Sequence, residues 1–242
     1  MKKVVIAIIA AKLALFAALG LIACETVSFT PLETSTAVTP TPPPKSPEDI
    51  IKRPVSEPYT GDLSIFEDEG RAANLQIERV MDILKIKEGK SVADIGAGSG
   101  WFTTKAATKV GAKGKVFAVE INEEYIKYIN DRAKKENFAN IQTVLGTEDD
   151  PKLPADSVDA ALILKTYHEI GQPVKVMQKL RTSLKKDALL GIIDKNGTGD
   201  DHGIDKKVVI DELKRAGFAL KEEFDFTKAD GMDYFLVFRV AK

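Results

Sequence analysis

Three closely spaced glycines, Gly96, Gly98 and Gly100, follow the apolar run at residues 92–95. Glycine reaches positive φ angles and lets the backbone approach a ligand closely, so a loop of this kind can hold a small molecule. The G-x-G-x-x-G fingerprint of dinucleotide-binding sites is not met, because position 101 is Trp. No Gly-Lys-Ser/Thr follows either, so the pattern also differs from a phosphate-binding loop.

Two carboxylates stand at fixed positions relative to this loop. Asp94 lies two residues before Gly96, and Glu120 follows the next apolar run, residues 116–119. A carboxylate that closes the second strand of a parallel sheet, about 20 residues after the glycines, can accept hydrogen bonds from both hydroxyls of a ribose. We therefore predict that Glu120 contacts the ligand of the glycine loop.

The chain contains only two histidines, the side chains best suited to proton transfer near neutral pH. His168 follows the apolar run 158–164, and His202 lies in the loop after the run 188–193. Both are predicted to lie at the rim of one cleft. There, each histidine either acts as a base or contacts the acceptor, or else it is structural or exposed to solvent. Tyr167 is predicted to orient the acceptor or stack on it, the alternative being an aromatic wall.

No metal site is expected. The alternative is a metal site formed by His168, His202 and Asp194, since imidazole and carboxylate groups are suitable ligands. The single Cys excludes an internal disulfide, a Cys-rich zinc site and an iron–sulfur cluster.

Short apolar runs alternate with longer amphipathic segments, which indicates a parallel sheet covered by helices on both faces. Strands are predicted at 91–95, 115–119, 141–145, 158–164 and 188–193. Helices are predicted at 68–84, 102–110, 123–136, 173–184 and 206–216. The helix 68–84 is expected to cap the sheet or to cover an acceptor, which would bring Phe66 and Arg71 to the ligand. Trp101 is expected to line the pocket or to pack.

The last two strand-like runs, 219–226 and 233–240, are joined by a short turn around Asp230. A turn of that length cannot hold a crossover helix, so the two strands must be antiparallel.

The glycine loop, with Asp94 two residues before it, resembles the first motif of class I S-adenosylmethionine-dependent methyltransferases. Further resemblance lies in the segments 147–149, 153–162 and 184–190, and it covers about residues 62–242. It implies an α/β, Rossmann-like seven-stranded mixed sheet of order 3-2-1-4-5-7-6 with the last strand antiparallel and helices on both faces. It implies S-adenosylmethionine as cofactor, contacted by Asp94, Gly96, Ala97, Gly98, Gly100, Glu120, Ile121, Thr147, Glu148 and Lys165.

A closer resemblance is to a group of predicted exported bacterial methyltransferases. It rests on the segments 66–71, 165–170, 212–218 and 234–238. Lys165 departs from the Asp that is more usual in that group. The group has no settled methyl acceptor, so the acceptor, a small molecule or otherwise, is left open.

The first 23 residues read as an export signal, with Lys2 and Lys3 before an apolar stretch and small residues at its end. Residues 21–24, Leu-Ile-Ala-Cys, resemble the lipobox of bacterial lipoproteins, and Cys24 is the only Cys of the chain. An uncleaved membrane anchor is the alternative. Both readings place the domain outside the cytoplasm, facing the periplasm or the cell exterior, and lipid on Cys24 would attach it to a membrane.

Residues 24–58 are rich in Pro and Thr, and they are predicted to be a disordered tether before a methyltransferase domain at 59–242. With 35 Lys+Arg against 36 Asp+Glu, the net charge of −1 gives no basic face for nucleic acid, and no such partner is expected.

Three functions stay open from the sequence. The first is an exported, membrane-tethered methyltransferase, although S-adenosylmethionine is a cytoplasmic metabolite and its supply outside is unexplained. The second is a non-catalytic lipoprotein that binds S-adenosylmethionine or a nucleoside on the same scaffold. The third, an oxidoreductase on a related sheet, is disfavoured by the glycine spacing and the terminal hairpin.

Overall fold

The structure is a computed structural model that describes residues 53–56, 59–67, 70–198, 202–227 and 233–242. The export signal, Cys24, most of the predicted tether and the turn around Asp230 lie outside the described residues. Among the helices that the structure describes, none is long and apolar enough to cross a bilayer.

Seven strands form one mixed sheet in the order β3-β2-β1-β4-β5-β7-β6. Strands β1 to β5 pair in parallel, and β7 is antiparallel to both β5 and β6. This confirms the predicted sheet and its antiparallel last strand. The strands are β1 (Ser91–Ile95), β2 (Lys115–Glu120), β3 (Ile141–Leu145), β4 (Val158–Leu164), β5 (Leu184–Lys195), β6 (Phe218–Phe224) and β7 (Asp233–Val240).

In the described part of the chain six helices flank the sheet, and there are two 3-10 turns, Leu63–Phe66 and Tyr167–Glu169. Alternate residues of the strands enter two separate apolar clusters, so both faces of the sheet are buried. Helices α5 and α6 cover one face, and α2 and α3 cover the other. The helices are α1 (Arg71–Asn74), α2 (Ile77–Ile83), α3 (Trp101–Val110), α4 (Glu123–Lys135), α5 (Pro173–Ser183) and α6 (Lys206–Arg215).

The single helix predicted at 68–84 is wrong, because the described part of it is two short helices separated at Gln76, whose φ is 46°. Leu75 and Ile77 are both buried. In a continuous helix, residues two apart point about 200° away from each other, so only one of them could face the sheet. The break at Gln76 lets both side chains reach the apolar cluster.

The predicted turn before the fifth strand is also different. Strand β5 begins at Leu184, directly after α5, and Leu184 pairs with Val158 of β4. The next pair is Ala160 with Leu189, so the residues between Leu184 and Leu189 bulge out of the ladder. Asp187 has a φ of 64°, the left-handed conformation common in such irregularities.

Arg53 joins the segment that precedes the sheet to the domain. Its guanidinium donates to both carboxylate oxygens of Glu212, at 2.6 and 2.7 Å, and to the carbonyl oxygen of Tyr167 at 3.0 Å. Glu212 is only 3% exposed and accepts a further hydrogen bond from the Tyr167 hydroxyl. The charge of this buried carboxylate is therefore balanced by a residue that lies before position 59.

We expect Arg53→Ala to lower the free energy of unfolding by about 3 kcal/mol, because it leaves the Glu212 carboxylate buried without a cation. Urea denaturation of the full-length chain measures this loss, and a chain that begins at residue 59 should show the same loss. Lys113→Ala is the control, since its side chain is 83% exposed. A loss for Arg53→Ala no larger than for Lys113→Ala would contradict the expectation.

Candidate active site

The predicted site residues lie at one edge of the sheet, because β1, β2, β4 and β5 are parallel and end there. These strands end at Ile95, Glu120, Leu164 and Lys195. Ligands of open α/β sheets bind outside the carboxyl ends of the strands, near the point where the strand order reverses. Here that point lies between β1 and β4.

The glycine loop needs its glycines for two different reasons. All three have a positive φ: 71° at Gly96, 56° at Gly98 and 76° at Gly100. A Cβ added at Gly96 would lie 2.3 Å from the Cγ2 atom of Thr166, whereas at Gly98 it would meet no described atom within 4 Å. Gly96 therefore permits close packing against the loop after β4, and Gly98 presents its backbone to open space that a ligand can enter.

Glu120 connects this loop to the end of β2. Its Oε1 accepts the N–H of Gly98 at 2.8 Å, and its Oε2 accepts the N–H of Ile121 at 3.0 Å. Burial raises the pKa of Glu120, and these backbone hydrogen bonds oppose that rise. Each oxygen keeps a second lone pair for a ligand hydroxyl. The neighbouring Ile121 is 56% exposed, so a polar and an apolar contact lie side by side.

This arrangement fits the adenosyl part of S-adenosylmethionine. The carboxylate of Glu120 supplies a fork of acceptors for the ribose, the Ile121 side chain supplies an apolar surface for a base, and the open face of Gly98 supplies room. The contacts themselves stay predictions, as do those of Ala97 and of Thr147 and Glu148, which are exposed just after β3.

Asp94 lies beneath the loop rather than in the cleft. It is 2% exposed, and its Oδ2 accepts the hydroxyl of Thr103 on α3 at 2.6 Å. Burial is the main cause that raises the pKa of Asp94 to about 7. The hydrogen bond from Thr103 lowers this pKa, the nearby charge of Glu120 raises it, and the charge of Arg71 lowers it. Its direct role in the structure is to hold the start of α3 behind the glycines.

We expect Asp94→Asn to flatten the dependence of stability on pH. The folded protein holds the Asp94 proton more tightly than the unfolded chain, because the pKa rises from 3.8 to about 7. The stability that this proton contributes is present below the unfolded pKa and is lost as the pH rises through the folded pKa, at up to about 1.4 kcal/mol per unit. Urea denaturation between about pH 4 and pH 7 compares the two proteins, and parallel curves would contradict the expectation.

The ammonium group of Lys165 is paired with a carboxylate of the sheet. Its side chain forms an ion pair with the buried carboxylate of Asp233 on β7, and its N–H donates to the carbonyl oxygen of Ile193 at 2.7 Å. A φ of 57° turns the chain sharply at this residue. Lys165 therefore links the end of β4 to β5 and β7, and its contact with the cofactor stays a prediction.

His168 is held by Asp194, a buried carboxylate near the end of β5. The Nδ1 atom of His168 lies 2.9 and 3.0 Å from the two oxygens of Asp194, which also accepts the backbone N–H of His168 at 3.0 Å. Asp194 itself is 0% exposed. Burial lowers the pKa of His168, but the hydrogen bond and charge of Asp194 outweigh it and the pKa is raised. An acceptor on Nδ1 fixes the proton there and leaves Nε2 with a lone pair.

Two further side chains surround the Nε2 atom of His168. The Oε1 atom of Glu169 lies 3.4 Å from it, and the Nδ1 atom of His202 lies 3.7 Å from the same oxygen. The centroids of the two imidazole rings are 6.1 Å apart, so the two histidines are neighbours. Thr166 ties this rim to the glycine loop, since its hydroxyl lies 3.3 Å from the carbonyl oxygen of Gly96.

The sequence reasoning missed the roles of Asp194 and Glu169. The only signal was indirect: Glu169 is the neighbour of His168, and Asp194 is an acidic residue at the end of an apolar strand. Neither position reveals that the Asp194 carboxylate points at the Nδ1 atom of His168.

Tyr167 and Trp101 are placed in the core. Tyr167 is 0% exposed and its hydroxyl donates to Glu212 at 2.8 Å, so the structure does not bring it to an acceptor as predicted. The 3-10 turn directs consecutive side chains apart, which sends Tyr167 inward and His168 to the rim. Trp101 is 5% exposed beneath the guanidinium of Arg71, whose carbon lies 4.6 Å from the centroid of the ring, so its role is packing.

A seven-stranded sheet of this order, with a glycine loop after β1 and a carboxylate closing β2, places the chain among the class I S-adenosylmethionine-dependent methyltransferases. Residues 86–225 match the model of a family described as a methyltransferase domain. The chain belongs to that family.

Individual relatives agree with this family. Over 123 residues, 51% of the chain, it is 28% identical to (S)-coclaurine N-methyltransferase of Thalictrum flavum subsp. glaucum. Over 131 residues, 54% of the chain, it is 28% identical to protein-L-isoaspartate O-methyltransferase of Methanococcoides burtonii. The chain spans 33% of the first relative and 61% of the second.

Solved structures share the fold over most of the described domain. A SAM-dependent methyltransferase from Aquifex aeolicus superposes with a TM-score of 0.68 at 25% identity, covering 74% of this chain and 97% of that one. The [4+2]-cyclase SpnF superposes with a TM-score of 0.59 at 15% identity, covering 72% of this chain and 85% of that one. The second likeness concerns the fold alone.

Proposed function

We propose that this methyltransferase uses S-adenosylmethionine and transfers the methyl group to an acceptor that enters beside His168. The observation that carries the proposal is the Glu120 carboxylate, which stands at the end of β2 next to the open face of Gly98. The acceptor side is marked by the pair of His168 and Asp194, which the loop after β4 holds against the glycine loop.

S-adenosylmethionine, when bound, supplies a methyl group whose carbon–sulfur bond breaks as the lone pair of an acceptor bonds to the carbon. The residues of this chain have two tasks in that displacement. The glycine loop and Glu120 fix the position of the donor, which lowers the entropic part of the barrier. His168 activates the acceptor, since a hydroxyl or protonated amine must lose its proton before its lone pair is available.

A non-catalytic binding protein is the second function that the scaffold permits. The likeness to a cyclase illustrates that fold does not by itself establish a reaction. The Asp194–His168 pair favours catalysis, because a buried carboxylate that holds one nitrogen of an imidazole is an arrangement typical of proton-transfer sites.

Calorimetry of the full-length chain with S-adenosylmethionine, S-adenosylhomocysteine and NAD tests the cofactor. We expect binding of the first two with one site per chain and no heat with NAD. Binding of NAD in preference to both adenosyl ligands would overturn the proposal in favour of an oxidoreductase.

We also propose that the protein is exported and attached to a membrane through lipid on Cys24. The support is the lipobox-like Leu-Ile-Ala-Cys at 21–24 after an apolar stretch. Stable attachment to a membrane usually needs two signals, such as two acyl chains. A Cys residue that carries several acyl chains provides them.

The mass of the protein extracted from membranes tests this attachment. We expect loss of residues 1–23 and an added acyl mass on Cys24, and Cys24→Ser should abolish both. A mass that still contains residues 1–23 without acyl groups would support an uncleaved anchor instead.

A further inference from the structure

We propose that His168, Glu169 and His202 form a binding site for Zn²⁺ at the acceptor side of the cleft. From the sequence no metal site is expected, and the alternative is a site formed by His168, His202 and Asp194. The structure replaces Asp194 with Glu169: the oxygens of Asp194 are engaged by the Nδ1 atom of His168 and by two backbone N–H groups.

The separations of the three ligand atoms fit one small cation. One ligand atom from each of His168, Glu169 and His202 lies within 4.8 Å of the other two. Two of the separations are 3.4 and 3.7 Å. Ligands of a tetrahedral zinc ion, at about 2.0–2.1 Å from the metal, lie roughly 3.4 Å from each other. A small movement of the exposed His202 side chain would complete the geometry.

Two of the three ligands are already held in place by other residues. Asp194 accepts the Nδ1–H of His168, which orients the ring and leaves the Nε2 lone pair for a metal, as outer carboxylates do in zinc sites. The N–H and the hydroxyl of Ser56 donate to the two oxygens of Glu169, at 2.7 and 2.8 Å. His202, which is 76% exposed, supplies the third ligand from the loop after β5.

The ligand types favour zinc over magnesium or calcium. Imidazole nitrogens suit Zn²⁺, whereas Mg²⁺ and Ca²⁺ prefer oxygen ligands alone. Two His and one carboxylate leave the fourth position of the ion open, which is the arrangement of catalytic rather than structural zinc.

The zinc site rests on the proposed function for one point, the place where the acceptor enters. It adds to that function a way of activating the acceptor. An acceptor oxygen or sulfur bound at the open position would have its pKa lowered by the cation. Its proton would leave to solvent, and the lone pair would remain for the methyl carbon. His168 would then activate the acceptor through the ion that its Nε2 atom holds, and not by taking the proton itself.

Zinc affinity of the full-length chain tests the proposal, measured by competition with a chromophoric chelator. All proteins carry Cys24→Ser, which removes the only thiol. We expect one Zn²⁺ per chain, with Mg²⁺ unable to displace it. His202→Ala and Glu169→Gln should each weaken binding about 100-fold or more, and Asp194→Asn by about 10- to 100-fold.

Glu123→Gln, an exposed acid of α4, is the matched control and should bind zinc like the parent. Co²⁺ in place of Zn²⁺ should give the intense visible absorption of a tetrahedral ion in the parent and lose it in His202→Ala. Because His202 is exposed, that variant should melt like the parent, so loss of the metal cannot be ascribed to unfolding.

Equal zinc affinity in the parent, His202→Ala and Glu169→Gln would overturn the zinc site. Affinity for S-adenosylhomocysteine, measured on the same proteins, separates the two proposals. A chain that binds S-adenosylhomocysteine but no zinc overturns this inference and leaves the proposed function standing, whereas a chain that binds zinc but no S-adenosylhomocysteine does the reverse.

Discussion

Glu120→Ala is expected to weaken the binding of S-adenosylmethionine by roughly 10- to 100-fold. A ribose offers two neighbouring hydroxyl donors, and the Glu120 carboxylate offers two acceptor oxygens in a matching fork. Hydrogen bonds to a charged group contribute about 1.5–3 kcal/mol each, and 1.4 kcal/mol corresponds to a tenfold change in affinity. Calorimetry on the full-length chain measures the effect.

The structure adds a second consequence to this substitution. Glu120 is only 8% exposed and accepts the N–H groups of Gly98 and Ile121, so Ala also removes two hydrogen bonds that shape the loop. Some of the lost affinity could therefore come from a changed loop rather than from a lost ribose contact. The two causes need a measurement that separates them.

A ligand that lacks a ribose hydroxyl provides that measurement. The 2′-deoxy form of S-adenosylhomocysteine should bind the parent more weakly than S-adenosylhomocysteine does, and it should bind Glu120→Ala almost as well as S-adenosylhomocysteine does. This non-additivity is the signature of a direct contact. Equal and additive losses would show that Glu120 acts on the loop alone.

Glu123→Ala is the control for the first prediction. This acid lies three residues further along, at the start of α4, and its side chain is exposed. It should bind S-adenosylmethionine like the parent. Unchanged affinity in Glu120→Ala, on a protein that melts like the parent, would remove the central support for the cofactor assignment.

The second large effect is expected for His168→Ala, which should lower turnover by about 10²- to 10⁴-fold, the contribution typical of a group that promotes loss of the acceptor proton. Affinity for S-adenosylhomocysteine should change little, because His168 follows β4 whereas the proposed adenosyl contacts lie at the ends of β1 and β2. His202→Ala should also lower turnover more than it lowers cofactor affinity. Transfer of a labelled methyl group from S-adenosylmethionine to a cell-envelope extract is the assay.

Asp194→Asn tests whether the buried carboxylate acts through His168. The amide keeps the size of the side chain. When its NH₂ group faces His168, the Nδ1 atom must accept a hydrogen bond and can no longer carry the proton, so the proton of the imidazole moves to Nε2. Turnover should then fall while the His168 side chain is still present. If Asp194→Asn and His168→Ala both turn over like the parent, the imidazole does not activate the acceptor.

Much of the fold was determined by the order of apolar runs along the chain. Runs such as 91–95 and 158–164 are mostly apolar without alternation, which is typical of a strand buried on both faces. The short connection between the last two runs permits only an antiparallel pair, which β6 and β7 confirm. Sequence patterns work here because each depends on neighbours within one element.

The positions of the candidate cofactor residues could be predicted for the same reason. Gly96, Gly98 and Gly100 lie in the loop that follows β1, and Glu120 is the last residue of β2. Parallel strands bring their carboxyl ends to one edge of the sheet. A residue that closes a parallel strand is therefore located at that edge once the strand is identified. Its position, although not its contacts, follows from local order.

The surroundings of His168 and Tyr167 were decided by tertiary structure. The hydrogen bond between His168 and Asp194 joins residues 26 apart, and the ion pair between Arg53 and Glu212 joins residues 159 apart. The 3-10 turn sends Tyr167 into the core while its neighbour His168 reaches the rim. Composition and spacing do not encode the direction of a side chain in a short turn, because packing against distant strands and helices selects it.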